Sequence, residues 1–539
     1  MQISVNTLNA PIYKAIKSYI EELPIPFHMP GHKMGKGLPQ DWIALAGKID
    51  LTEIFGLDNL HFPAGAIKEA QELAASAFGA FKTYFLVNGS SVGIHAAIMT
   101  VCNPGDKIIV ARDCHRSVIS GVILAGANPV YVPVEIDEDF GIPTTINTEI
   151  LTEILEKNRD ARAVLITRPN YYGICSDIEK IAEITRSFGK ILIVDEAHGA
   201  HFKFHDSLPR PSLEAGADIC IQSAHKTLPA LTQSAYLHLS KDFSDSIDVE
   251  RLEFNLRLLQ TTSPSYLLMS SLDIARAIME QHGKELLESL INKIDWFSSH
   301  ISELKGIKIL CEEDIRKNMR KDAKKDYKLG SRATELRNSA VGLKNPATAR
   351  SAIHDKTRLV INISDLNNAG YDVEKFLREK FHIQVEMSDL FNIICITTVS
   401  DEKKDFEGLL KALKDIRDLK THKNLTKYEN LTKHGFVSTQ KVSEKNNLIK
   451  LVKNNLTIPE QGMEPWKILS RKSEYIPFKT SLGRISRDFI VPYPPGVPLV
   501  CPGEIINRDI IEYVYKVLEV GGNVNGILQE NGLKISVVL

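Results

Sequence analysis

Ser223-Ala224-His225-Lys226-Thr227 closes one apolar run of the chain, and Asp195 closes an earlier one. Leu228-Pro229-Ala230-Leu231 follows the lysine, a setting too apolar for an exposed loop. Desolvation of an ammonium lowers its pKa, and a neutral amine is the nucleophile that forms a Schiff base with a carbonyl. A carboxylate at the end of an apolar strand is costly without a partner. A protonated pyridine nitrogen is such a partner, and the pair keeps the ring an electron sink for a carbanion at an amino acid α-carbon. Asn88-Gly89-Ser90-Ser91 opens a helix straight after a strand, where backbone N–H groups and two hydroxyls make an anion site. In isolation that stretch also reads as a plain serine cap. His115 opens another helix, where it either caps or stacks on a flat ring. Lysine, aspartate, hydroxyls and imidazoles together meet the needs of pyridoxal phosphate (PLP), with Ser223 and His225 reaching the phosphate. These residues leave open which α-bond breaks. Decarboxylation, aminotransfer, β-elimination and non-catalytic binding all remain.

A rival reading starts from Asp195-Glu196-Ala197-His198, which matches a helicase-type magnesium site. That site requires a G-x-x-x-x-G-K-[ST] phosphate loop, and the chain contains none.

The elements that must position these groups alternate. Strands are expected over Thr83–Val87, Lys107–Val110, Pro129–Val134, Ala163–Thr167, Ile191–Val194 and Asp218–Gln222. Helices are expected from Asn88 through Met99, from His115 to Gly126 and over Ile178–Phe188. Such alternation predicts an α/β fold with a mostly parallel sheet flanked by helices. Gly89, Asp195 and Ser223 each stand just past a strand, at the sheet end where ligands gather. A smaller α/β unit is expected from Leu359–Ile363, Ile393–Thr397 and the helix Phe406–Ile416. The expected division is an N-terminal segment (1–30), a large cofactor domain (31–290), a smaller α/β domain (291–420), a Lys- and Asn-rich linker (421–460) and a C-terminal domain (461–539). The basic run Arg316–Lys328 reads as a solvated helix face or mobile insertion, or else as a polyanion contact. The proline-rich run Val491–Pro498 reads as a stiff loop, either a structural turn or a wall beside a pocket.

Composition narrows the class. At 539 residues the chain is long enough for about three domains of roughly 100–200 residues each. It is 43% hydrophobic and 25% charged with a net charge of -1, so no basic field argues for nucleic acid. Seven scattered cysteines without a C-x-x-C pair argue against a metal site or disulfide framework and for a reducing cytoplasm. No secretory signal is visible, and no apolar run approaches the ~18 residues needed to span a membrane.

The chain resembles the Orn/Lys/Arg decarboxylase family of fold-type I PLP enzymes. The resemblance is carried by Phe27-His28-Met29-Pro30-Gly31-His32-Lys33, Phe85-Leu86-Val87-Asn88-Gly89-Ser90, His115-Arg116-Ser117, Asp195 to Phe202, Gln222 to Leu228, Thr232-Gln233, Thr262-Ser263-Pro264, Pro494 to Pro498 and Pro502-Gly503-Glu504. It implies that Lys226 bears the cofactor, that Asp195 meets the pyridine nitrogen with His198 close by, and that His115 stacks on the ring. Ser90, Ser91, Ser223 and His225 would hold the phosphate, and Thr262 would reach the phosphate of a neighbouring subunit in a homodimer or small oligomer. The implied reaction is decarboxylation of a basic amino acid, arginine before lysine or ornithine, to a polyamine-pathway amine. Lys226 or His225 would return the proton to the α-carbon. Glu386 and Glu504 are the candidates for the substrate's distal cation. The family reads Asn-x-His-Lys-Ser where this chain has Asp113-Cys114-His115-Arg116-Ser117, and P-T-Y-x-G where it has Pro169-Asn170-Tyr171-Tyr172-Gly173. The chain is expected to lack the N-terminal wing domain of larger members.

Overall fold

Short apolar runs become strands. A computed structural model describes residues 11–317, 353–366, 368–421, 458–493, 496–529 and 532–539. Most of the 421–460 linker, the basic run past Lys317, and Pro494 and Pro495 lie outside the described residues. In chain order the first strands are β1 (Ile25–Phe27), β2 (Lys82–Leu86), β3 (Lys107–Ala111), β4 (Asn128–Val132), β5 (Val134–Asp137), β6 (Ile142–Ile146), β7 (Ala163–Thr167), β8 (Ile191–Asp195), β9 (Ile219–Gln222) and β10 (Ala235–Leu239).

Seven of them form one sheet in the order β2-β10-β9-β8-β7-β3-β4. The pairs β4/β3, β3/β7, β7/β8 and β8/β9 are parallel. β10 runs antiparallel to both its neighbours. Every residue of β7 and β8 is buried, as expected of strands covered on both faces. Alternate residues serve opposite faces. Leu165, Ile193 and Ile221 pack with the helices Gly89–Val101 and Arg116–Ala125. Val164, Ile166 and Val194 pack with the helices Thr148–Lys157 and Ile178–Ser187. The expected run Pro129–Val134 divides at Pro133, between β4 and the β5/β6 hairpin. A proline cannot donate to a ladder, and β4 tolerates Pro129 because it is an edge strand.

The smaller domain contains β11 (Lys308–Ile309), β12 (Arg358–Asn362), β13 (Ile383–Val385), β14 (Met387–Ser388) and β15 (Asn392–Ile396). Its sheet is antiparallel in the order β11-β12-β15-β14. The 37-residue helix Tyr266–Ser302 joins the two domains, packing Leu272, Leu290 and Phe297 into a core shared with Phe27, Ile361, Ile393 and Phe406. β1 pairs in parallel with β13, Ile25 facing Ile383. The N-terminal segment thus adds a strand beside the smaller domain. The C-terminal unit holds β16 (Ser473–Pro477), β17 (Val491–Pro492), β18 (Val524–Asn525), β19 (Ile527–Leu528) and β20 (Lys534–Val538), with its own core around Phe478, Ile490, Val514 and Val537.

Candidate active site

The short helix Ala224–Thr227 follows β9 with one residue between them. Its backbone is braced by the N-terminal segment, because the Gly31 amide donates to the His225 carbonyl at 2.7 Å. Only glycine fits there. A Cβ on Gly31 would stand 2.6 Å from the Leu228 carbonyl oxygen. Lys226 is half-buried and faces the site, with its Nζ 3.0 Å from Nε2 of buried His198. Desolvation lowers the Lys226 pKa, Asp195 and Glu386 pull it back up, and Arg358 lowers it further.

Asp195 ends β8 in register with Thr167 on β7 and Ile221 on β9. It is buried, and its Oδ1 accepts from the Ala197 amide at 3.1 Å. Burial pushes its pKa up and Lys226 pulls it down. Among the described residues no cationic side chain hydrogen-bonds to it, so the carboxylate is available to a ring N–H.

The helix Gly89–Val101 starts at Gly89, whose φ of 76° is left-handed. Nothing lies within 4 Å of where its Cβ would be. Asn88 occupies the cap position but does not cap the helix. Its Oδ1 is drawn away to the Thr261 amide at 3.1 Å. The first-turn amides are thereby left for an anion. Ser223 Oγ donates to Ser90 Oγ at 2.8 Å, bringing hydroxyls from two strand ends to the same place, with Ser91 beside them. These features fit the phosphate of PLP as Asp195 fits its ring nitrogen.

His115 caps the helix Arg116–Ala125, its Nδ1 accepting from the Ser117 amide at 3.3 Å. Burial, followed by Lys226 and Arg116, pushes its pKa down to about 3, so the ring is neutral. Gly496, in the proline-rich run, lies so close that a Cβ would stand 3.4 Å from the ring's Cδ2. Gly496 thus stands against the imidazole of His115. Asp113, two residues earlier, is buried, and burial with the charge of Asp195 raises its pKa to about 7.

Two expected roles change. Glu504 is fully buried and bound by Arg112 through two hydrogen bonds of 2.9 and 3.0 Å. It pins the C-terminal unit to the end of β3 and is not free to hold a substrate cation. His225 places Nδ1 2.9 Å from the Ser234 carbonyl, which only accepts. Burial lowers its pKa to about 4, so the ring is neutral and its Nε2 is an acceptor. As a neutral ring with its one proton spent on Ser234, His225 offers neither a proton to the α-carbon nor a hydrogen bond to the phosphate it was expected to hold.

Glu386 lies between β13 and β14 and is half-buried, its Oε2 accepting from the Met29 amide at 2.8 Å. Its charge is among those that act on Lys226. Thr262 is exposed, on the loop that Thr261 ties to Asn88. Sequence reasoning missed Arg358, whose Nη2 donates to His198 Nδ1 at 2.7 Å, and Tyr171, whose ring meets His198 edge-on at 5.1 Å. The signal for Arg358 was a charge opening the apolar run Leu359–Ile361, since a charge is almost never buried unpaired.

The descriptions "Orn/Lys/Arg decarboxylase, major domain" and "Orn/Lys/Arg decarboxylase, C-terminal domain" match residues 10–405 and 449–532. The chain is 36% identical over 520 residues to an arginine decarboxylase of Bacillus subtilis, covering 96% of this chain and 95% of the relative. It is 24% identical over 580 residues to a lysine decarboxylase of Pseudomonas aeruginosa, covering 94% and 75%. The solved lysine decarboxylase A of Pseudomonas aeruginosa superposes with a TM-score of 0.73 at 20% identity, covering 100% of this chain and 84% of that one. The fold is accordingly the fold-type I arrangement that the residues imply.

Proposed function

The chain belongs to the Orn/Lys/Arg decarboxylase family, and on that premise we propose that it removes the α-carboxyl group of arginine with PLP held at Lys226. The observation that carries this reading is the desolvated Lys226 amine set between buried Asp195 and His198. Arginine is preferred because the relatives bearing that name are more similar, and along more of their length, than the lysine decarboxylases.

When bound, PLP supplies the electron sink for the pair left behind as CO₂ departs. Asp195 would hold the ring N–H, and the amides and hydroxyls of Ser90, Ser91 and Ser223 the phosphate. His115, neutral and walled in by Gly496, would lie along the ring face. Loss of CO₂ requires a proton at the α-carbon, which calls for a donor whose pKa suits the task. Lys226 would fill that role as an ammonium, carrying a proton taken from the incoming substrate's own ammonium group, because the free nitrogen of His225 only accepts. Glu386 would meet the substrate guanidinium through Oε1, its Oε2 being engaged by Met29.

A homodimer completes the reading. Phe254 and Leu258 leave an apolar stripe of the helix Val249–Leu259 exposed, shortly before exposed Thr262. A second copy over that stripe would bring Thr262 toward the neighbouring phosphate cradle. Six buried cysteines and one exposed, all unpaired, suit a reducing cytoplasm.

The test is release of labelled CO₂ from carboxyl-labelled arginine, lysine and ornithine in competition, using purified protein supplied with PLP. Arginine should dominate. A keto acid product without CO₂ points to aminotransfer and overturns the proposal. Lys226→Ala should lose both CO₂ release and the visible cofactor band, and Glu386→Gln should raise KM for arginine more than it lowers kcat.

A further inference from the structure

We infer that Arg358 is a positioning residue that sets the tautomer of His198 and so holds the Lys226 amine in its neutral, hydrogen-bond-accepting form. The inference rests on the reading of Lys226 as the cofactor lysine only for its consequence; the geometry stands by itself.

A guanidinium has donors and no acceptor. With Arg358 Nη2 2.7 Å from His198 Nδ1, that nitrogen must accept. Burial, with Lys226 and Arg358 beside it, keeps the ring's pKa well below its ordinary value, so the ring is neutral and its single proton sits on Nε2. Nε2 is 3.0 Å from Lys226 Nζ. An ammonium there would set donor against donor, whereas a free amine accepts. Without Arg358 the ring could carry its proton on Nδ1 and take a hydrogen bond from an ammonium instead.

Arg358 is held rigidly enough to impose this choice. It opens β12 and is buried, and its amide donates to the Asp355 carbonyl at 3.0 Å. The Asp355 carboxylate is 3.2 Å from His201 Nε2 and accepts from Thr357 Oγ1 at 2.7 Å. Beneath this turn, the Gly173 carbonyl accepts from the Asp355 amide at 2.8 Å, and a Cβ on Gly173 would stand 2.8 Å from Arg358 Cβ. The same loop supplies Tyr171, whose ring edge steadies His198. His198 belongs to the large domain and Arg358 to the smaller one, so the state of the amine is set across the seam between them.

Asp195 on β8 and Glu386 from the smaller domain favour the ammonium, and Arg358 on β12 opposes it. His115, His198 and His225 face it as neutral rings.

The test reads the amine without turnover. Cofactor-free protein is labelled with trace acetic anhydride across pH, and acetylation of Lys226 is quantified by peptide mass spectrometry. Arg358→Met should move the midpoint up by about one unit, which is tenfold lower reactivity on the acid side. His198→Phe keeps the Arg358 charge and removes the relay, so it should move the midpoint in the same direction by a smaller amount, and the double variant should go no further than Arg358→Met. An unchanged midpoint in Arg358→Met, or additive shifts in the double variant, overturns the inference. A measurement on the parent protein guards against variants that fail to fold. Nitrogen-15 NMR of His198 should show Nε2–H, and Nδ1–H or an imidazolium would overturn the inference. Absence of a visible PLP band in a protein that passes these tests would sink the cofactor reading and leave the tautomer assignment standing.

Discussion

Asp113→Asn should remove a pH dependence of stability that the protein carries between about pH 4 and about pH 7. Asp113 is buried at the end of β3, and burial together with the Asp195 charge raises its pKa from 3.8 to about 7. Within that window the folded chain keeps a proton that the unfolded chain has released. Stability therefore falls as pH rises. The contribution is fully present below the unfolded pKa, is lost as pH passes the folded one, and is level above it. About three pKa units at roughly 1.4 kcal/mol each give about 4 kcal/mol. Asparagine has nearly the shape of the protonated acid and cannot titrate.

The assay is urea unfolding of cofactor-free parent and variant across this range, followed by circular dichroism. Titrations common to both proteins cancel in the difference. The variant should gain about 4 kcal/mol relative to the parent between the acid and the neutral end. A difference that stays constant with pH refutes the assignment, because it would mean that Asp113 ionises in the folded chain as it does in the unfolded one. The same argument accounts for a carboxyl where the family has asparagine. A protonated Asp113 offers Asp195 a neutral neighbour, as an amide does, so the variant should keep its decarboxylase activity at neutral pH.

Two further outcomes test the scaffold. Glu504→Ala leaves the Arg112 guanidinium buried without its partner, which should destabilise the protein by about 3–5 kcal/mol; a change in thermal unfolding no larger than a surface ion pair produces would contradict this. Gly31→Ala forces a methyl group against the Leu228 carbonyl and should cost about 1–3 kcal/mol while lowering PLP occupancy, since the displaced backbone carries Lys226. Full occupancy measured by cofactor absorbance would show that the N-terminal segment does not position the lysine.

The parts of the site that could be read from the sequence are those whose local surroundings decide their role. Lys226, Asp195 and Gly89 to Ser91 each follow an apolar run, and the sheet brings strand ends together whatever lies between them. Ala163–Thr167 is a strand to the residue because all five side chains are buried. β10 escaped notice because His238 interrupts Ala235–Leu239, a polar ring that Thr83 and Gln222 satisfy only after folding.

What remained hidden was pairing at long range. Glu504 and Arg112 are 392 residues apart, and Arg358 and His198 are 160 apart. A buried charge must find a partner or lose its charge, but neither sequence position says which. Glu504 and Glu386 are both carboxylates in the smaller or C-terminal parts of the chain. Arg112 claims both oxygens of the first, while a backbone amide takes one oxygen of the second. The first is therefore closed to a substrate cation and the second has an oxygen to offer. The same logic separates the two histidines beside the lysine. Ser234 turns the free nitrogen of His225 into an acceptor, and Arg358 turns the facing nitrogen of His198 into a donor. Two like side chains thereby receive opposite roles from partners that lie elsewhere in the chain.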